Sequence, residues 1–205
     1  MVRILINYGV FVELPIELNG KKVYAGFWKR FWAGIVDTVV AIPFLMIFNY
    51  LQSLSLAIAM FAVILSSVFF LVYTIYFHYK FGATLGKMAA GVKVTQPNGD
   101  SISLRQALLR SSVDICFSFF GIVAQVAAIS NANPDQYLNA NWMERGNYLI
   151  LLYPAWYRTL NVFSQIWFWS EFVVLLFNKR KRAIHDFIAD TVVINVSYAK
   201  ARKLR

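Results

Sequence analysis

Histidine is nearly absent from this chain, cysteine occurs once, and charge of either sign is thin. The two histidines, His78 and His185, lie far apart without cysteine partners, which excludes a Cys/His zinc site. Cys116 stands alone, so no intramolecular disulfide can form, and inside an apolar run it is expected to be an inert packed thiol. Charged residues make up 15% of the 205 against 59% hydrophobic, with a mean hydropathy of +0.55. A soluble domain of this length covers one core with a charged surface. That cover is missing, so lipid must supply it. A cleavable signal is not expected either. Met1 to Leu18 mixes polar and apolar residues, is interrupted by Glu13, Pro15 and Glu17, and has no positive start leading into an apolar core.

Aromatic residues are abundant, at 17% with six Trp, as suits side chains that anchor at the headgroup level. The net charge of +10 is gathered into short segments between apolar runs. These are Lys21, Lys22, Lys29 and Arg30; Lys80, Lys87, Lys93, Arg105 and Arg110; and Lys179 to Arg182 with the tail Lys200, Arg202, Lys203 and Arg205. Such clusters follow the positive-inside rule and suit anionic lipid headgroups. A nucleic-acid binder needs instead a continuous basic face with stacking aromatics, and no nucleic-acid partner is expected.

Since a span takes roughly 20 apolar residues, four are expected, at about 31–50, 54–77, 111–130 and 159–177. The first carries Asp37 and a kinking Pro43, and the turn at Asn49 to Ser53 folds it against the second as an antiparallel hairpin. Asn131 to Asn147 reads as a loop, and Tyr148 to Tyr157, with Pro154, as a segment lying on the outer interface. Both termini and the basic stretch from Lys80 to Arg110 are then cytoplasmic, since Arg145 is the only basic residue of the Asn-rich loop. In the cytoplasmic part, Val92 to Thr95 and Ser101 to Leu104 read as a β-hairpin around Asn98-Gly99, with Thr191 to Val196 as a third strand. The fold class is an all-α membrane protein with four transmembrane helices and a small cytoplasmic β element. Residues 1–25 form a cytoplasmic N-terminal segment, 26–196 the membrane domain and 197–205 a basic tail.

Ionisable residues within or beside the spans are the candidate functional groups, because a charge near the bilayer centre costs ~3 kcal/mol or more. Arg30 and Asp37 are two helical turns apart on one face, too far to touch, so each needs another partner. Arg110 and Asp114, at i and i+4, can pair within one helix. Asp37, Asp114 and Glu171 are candidate ion-binding or transport carboxylates; Glu171 would be protonated in lipid or hydrogen-bonded to a neighbouring Ser or Gln. Arg30, Asp37, Arg110, His185 and Asp186 can equally form a charge network that pins the cytoplasmic helix ends, and His185 beside Asp186 is either a pH-sensitive pair or a solvated surface group. The GATLGKMAAG stretch from Gly82 to Gly91 is one residue short of a P-loop, and Met88 stands where a magnesium-binding hydroxyl is required. It is read as a lipid-facing elbow in which Gly82 and Gly86 allow close backbone approach and Lys87 meets lipid phosphate.

Three blocks together resemble the RDD family of bacterial membrane proteins, named for one Arg and two Asp. GFWKRFWAGIVDTVV (Gly26 to Val40) supplies Arg30 and Asp37, GATLGKMAAGVKV (Gly82 to Val94) resembles the family's Gly-Thr-Leu-Gly-Lys elbow, and KRAIHDFIADTVVI (Lys181 to Ile194) supplies the second Asp, Asp186. The resemblance runs from about Gly26 to Val196. It implies a small helical inner-membrane protein; some members are associated with exchange of sodium, lithium or potassium for protons, and others look like accessory domains. The expected function is therefore a monovalent cation/proton antiporter with Asp37 as its ion site, a homo-oligomer because four helices leave little room for a pathway. The alternative is a non-transporting scaffold or assembly partner. No enzyme activity, cofactor or bound metal is expected.

Overall fold

In a computed structural model, residues 14–197 apart from Asn19 are described. The segment ahead of Leu14, with its expected lack of a signal, and the tail beyond Ser197 lie outside the described residues. In chain order the elements are β1 (Glu17–Leu18), β2 (Lys21–Lys22), α1 (Phe27–Gln52), α2 (Leu56–Phe81), α3 (Leu85–Ala89), β3 (Val92–Thr95), α4 (Leu104–Arg110), α5 (Ser112–Ser130), α6 (Pro134–Leu138), α7 (Trp142–Leu152), α8 (Ala155–Phe177), α9 (Ile184–Ile188) and β4 (Val192–Asn195).

Four of these helices, α1, α2, α5 and α8, are long and apolar enough to cross a membrane, with mean hydropathies of 2.0, 2.5, 1.9 and 1.4 over their best windows. At 1.5 Å per residue the 26-residue α1 and α2 each reach about 39 Å. Both exceed the expected spans. The added turns carry Arg30 at one end of α1 and Lys80 at one end of α2. Serine and glycine set the ends of α2: Ser55 Oγ accepts from Ile58 N (3.2 Å), while Gly82, at φ +71°, donates to His78 O (2.9 Å) from the left-handed conformation that glycine adopts without strain. α8 starts directly after Pro154, so Arg158 lies inside the helix instead of ahead of it.

Two expectations about the elements are corrected. The Asn-rich 131–147 stretch is largely helical, and Tyr148 belongs to α7. Two of its five asparagines are N-caps: Asn133 Oδ1 accepts from Gln136 N, and Asn141 forms a reciprocal capping box with Glu144. The β-hairpin also pairs differently. β3 is antiparallel to β4, with Val94 opposite Val193, while Ser101 to Leu104 forms no strand because Ser103 caps α4. Gln96 N still reaches Asp100 O (2.9 Å) around the Asn98-Gly99 turn. β4 is bonded on its other side by Ala25 N to Val193 O and by the Tyr24–Ile194 bridge, which ties the approach to α1 into the sheet.

Burial is concentrated at the two ends of the bundle. One cluster joins Ala25, Val92, Val94, Ile102, Ala107 and Val193. The other, at the opposite end, packs α6 and α7 through Tyr137 and Leu149 onto Ala59, Val63, Ala128 and Ile129. Between them the spans expose Phe, Leu, Ile and Val side chains, the surface lipid is suited to cover. Cys116 is on that exposed surface, not packed as expected. α3, α4, α9, β3 and β4 all gather at the end where α1 begins and α2 finishes.

Candidate functional site

Asp186 is the centre of the charged end. It sits in α9, whose first turn is held by its own side chain: Ala183 N donates to Asp186 Oδ2 (3.0 Å). The same oxygen accepts from Arg30 Nη1 at 2.8 Å. Oδ1 accepts from Arg110 Nη1 and from Thr191 Oγ1 (3.2 Å). The carboxylate is fully buried and its four donors, two of them guanidiniums, come from α1, α4, the N-cap of α9 and the turn into β4. Burial alone would raise this carboxyl, but Arg110 and then Arg30 outweigh it and hold it well below the ordinary range. Arg30 Nη2 also donates to Lys181 O, and Arg182 Nη2 to Asp186 O and Asp190 Oδ1, both at 2.9 Å. A chelate of this kind joins three segments far apart in sequence.

Asp37 has partners of another kind. Its Oδ2 accepts from Thr84 Oγ1 (2.6 Å), and Oδ1 from Gly86 N (2.7 Å) and Tyr73 Oη (3.2 Å). All are neutral, and all belong to α2 or to the N-cap and first turn of α3. Arg30 and Asp37 thus share a face of α1 without touching, as the spacing requires, but only Arg30 reaches Asp186. The Gly82–Lys87 elbow does not face lipid. Gly82, Ala83, Thr84 and Gly86 are buried, and a Cβ at Gly86 would lie 2.8 Å from Asp37 N, so the elbow is docked on α1. Leu85 and Met88 are the residues it exposes. Lys87 turns inward, with Nζ 2.6 Å from His78 Nε2. Burial, then Arg110 and Arg30, bring the Lys87 amine down to about 7, against a smaller opposing pull from Asp186 and Asp37.

A second line of groups leads from the centre along α8. His185 Nε2 is 2.5 Å from Arg110 Nη2, and its Nδ1 faces the Glu171 carboxylate, which also accepts from His185 N (3.1 Å). Burial and Arg110 pull His185 below its ordinary value, so the tautomer that fits is neutral, with the proton on Nδ1 towards Glu171. The partner of Glu171 is His185, not a neighbouring Ser or Gln. His185 is not a solvated surface group. Nor does Arg110 serve Asp114. The backbone breaks at Ser111 between α4 and α5, Arg110 turns to Asp186, and Asp114 accepts from Trp167 Nε1 at 3.2 Å. Asp114 opens instead into a cleft of about 430 Å³ between α5 and α8, lined also by Ser118, Ser164 and Gln165.

Sequence reasoning left Tyr73, His78, Thr84, Trp167 and Thr191 unassigned. Only the helix-start pattern at Thr84, whose hydroxyl caps α3, carried a local signal. Arg145, counted as a lone outer-loop cation, is buried; it donates to Tyr137 O, Ala140 O and both oxygens of Asn49, at 3.2–3.3 Å.

Among known families, the model of the RDD family matches residues 24–190, most of the chain. The chain belongs to the RDD family. No curated protein and no solved structure matches it. Arg30, Asp37 and Asp186, the residues its resemblance assigns, all fall within the matched stretch, and in this RDD protein the Arg and the second Asp are directly bonded. The first Asp anchors the adjoining elbow. Membership in a membrane family and four apolar helices together make it a multi-pass membrane protein.

Proposed function

We propose that this RDD-family protein exchanges a monovalent cation, sodium, potassium or lithium, for protons, with Asp114 as the cation ligand. The observation that carries the reading is the state of its four intramembrane or interfacial carboxylates. Asp186 and Asp37 are saturated by donors, and a cation could reach either only by displacing them. Among the described residues Asp114 has a single donor, and it faces a cleft whose Ser118, Ser164 and Gln165 can offer further oxygens to a hard cation. Asp37, first in line from the sequence, becomes a positioning residue. Glu171, bound to His185, links the cleft to the buried charges. The protein is then a carrier and not an enzyme, set in the bacterial inner membrane with its basic end and both termini cytoplasmic, against anionic headgroups. A homo-oligomer would enclose the open side of the cleft.

The test is flux in proteoliposomes loaded with a pH-sensitive dye, under sodium, potassium or lithium gradients. Asp114→Asn should abolish exchange while its melting temperature stays close to wild type, because an exposed carboxylate with one donor contributes little to the fold. Undiminished exchange in that variant rejects the site. A second reading, a scaffold whose charges only fix the fold for an assembly partner, draws on the same saturation of Asp186 and Asp37. Absence of flux from the wild type under every gradient decides for it.

A further inference from the structure

We propose that Lys87 and His78 form a proton-binding site, a pair of nitrogen bases, the histidine buried and the lysine half-buried, that holds one proton between them. The geometry is unusual for two groups of the same charge type. Lys87 Nζ lies 2.6 Å from His78 Nε2, and the histidine is 3% exposed. At that separation only one nitrogen can carry the extra proton. With the amine charged, its N–H donates to an unprotonated Nε2; with the amine neutral, it can still donate to the same atom. Loss of the proton therefore leaves the contact intact, which is what a reversible site needs. No carboxylate among the described residues pairs with Lys87, so nothing neutralises the ammonium directly.

The surroundings hold the pair near the point of release. α1 presents Arg30 and Asp37 towards it, α4 presents Arg110, and α9 presents Asp186 and His185. The two guanidiniums are themselves tied to Asp186, so their charge is partly spent, and Asp37 is occupied by Thr84, Gly86 and Tyr73. The ammonium gains little from either anion while it bears burial and two nearby cations. The amine is accordingly brought down to about 7, near neutral pH. The site also adjoins Asp37 through the α3 elbow, since Gly86 N and Thr84 Oγ1 on either side of Leu85 both hold that carboxylate. Protonation of Lys87 is thereby mechanically close to the contact between α1 and α3. Its use in exchange rests on the proposed function, whereas its existence as a proton site does not.

The experiment is an NMR titration of the whole protein in lipid nanodiscs, with lysine labelled at 13Cε, from about pH 5.5 to 10.5. One lysine signal should titrate near pH 7, about three units below an ordinary lysine. That signal should vanish in Lys87→Arg, or in Lys87→Met if the arginine variant does not purify folded; methionine fills the same space without a charge. A spectrum in which every lysine titrates above about pH 9 overturns the proposal, and so does a low-titrating signal that persists in the Lys87 variant. His78→Gln should move the midpoint by removing the paired base, and an unmoved midpoint removes His78 from the site. A wild type that titrates as expected but shows no flux keeps the proton site and sinks exchange. Flux whose pH dependence is unchanged in Lys87→Met keeps exchange and removes Lys87 from it.

Discussion

Asp186 and Asp37 are both held carboxylates, but their donors differ in kind, and the consequences of neutralising them should differ too. Asp186→Asn leaves Arg30 and Arg110 buried beside an amide that can accept from only one side. Removing one partner of a buried ion pair costs ~3–5 kcal/mol, so the variant should melt far below wild type or fail to accumulate. At Asp37 the donors are neutral, and an asparagine can still accept on one atom, so the loss should be smaller, about 1–2 kcal/mol. Thermal melts of both variants in one detergent check the order, and an Asp37→Asn protein less stable than Asp186→Asn would contradict it. The signs of the pH effects also differ. Asp186 has a depressed folded pKa, so its contribution is fully present above the unfolded carboxylate value and is lost only as pH falls through the folded one, in strong acid. Lys87 is a cation whose folded value is lowered to about 7. Between there and its usual lysine value the unfolded chain binds more protons, so stability should rise with pH. The melting temperature is expected to climb from about pH 7 to 9, and more weakly in Lys87→Met. Residue types and spacing made Arg30, Asp37, Arg110 and Asp186 visible in the sequence as chemistry-bearing positions. Which carboxylate met which cation was not visible, because Asp186 is 156 residues from Arg30 and 76 from Arg110.

For the elements, α3 is the test case. It is only five residues long, too short to be stable alone, and its position is set by Gly86 against α1 and by Asp37 across its first turn. A Cβ at Gly86 would meet Asp37 Cγ at 2.7 Å and Asp37 N at 2.8 Å, closer than real atoms allow, with the Ala33 carbonyl nearer still. α3 would have to lift. Gly86→Ala should therefore destabilise by roughly 1–3 kcal/mol, the range of an overpacked core site, where alanine on an exposed helix would stabilise. A melting temperature at or above wild type would show that the elbow is not docked as described. The GATLGK stretch was legible as an elbow from its glycines, but not the side it faced. Glycine tells of close approach and leaves the neighbour, lipid or helix, unnamed. The four spans were legible because long apolar runs have one stable fate in a bilayer. α6 and α7 were not, since asparagine marks turns and helix starts alike, and only tertiary contacts decide which. β3 found β4 over 100 residues of sequence separation instead of the local partner that an Asn-Gly turn suggests, because Ser103 is better used as a helix cap.

Across the whole molecule the two ends are built on different chemistry. One end is an ion-paired junction of α1, α4, α9 and the β3–β4 ribbon, with Lys29, Lys80, Lys93 and Arg105 around it. The other is a cap of α6 and α7, with Asp135 and Glu144 exposed on it, locked by Arg145, whose guanidinium serves carbonyls of Tyr137, Ala140 and Asn49 and lies over the Tyr137 ring. That use ties up the single basic residue of the 131–147 stretch and leaves Arg158, in the first turn of α8, as the exposed cation near that end, against the several basic residues at the other. The basic end is expected inside. Cysteine labelling tests it in a Cys116→Ser background, since the native thiol is exposed on α5. Asn133 caps α6 at one end of the bundle, and Asn98 lies in the β3–α4 turn at the other. A membrane-impermeant maleimide added to intact cells should label Asn133→Cys and leave Asn98→Cys unlabelled until the membrane is opened. Because four spans fix the two sites on opposite faces, labelling must exclude one of them, whichever way the protein inserts. Labelling of position 98 alone inverts the orientation and places the ion-paired junction outside. Labelling of both in intact cells is incompatible with the four-span fold itself.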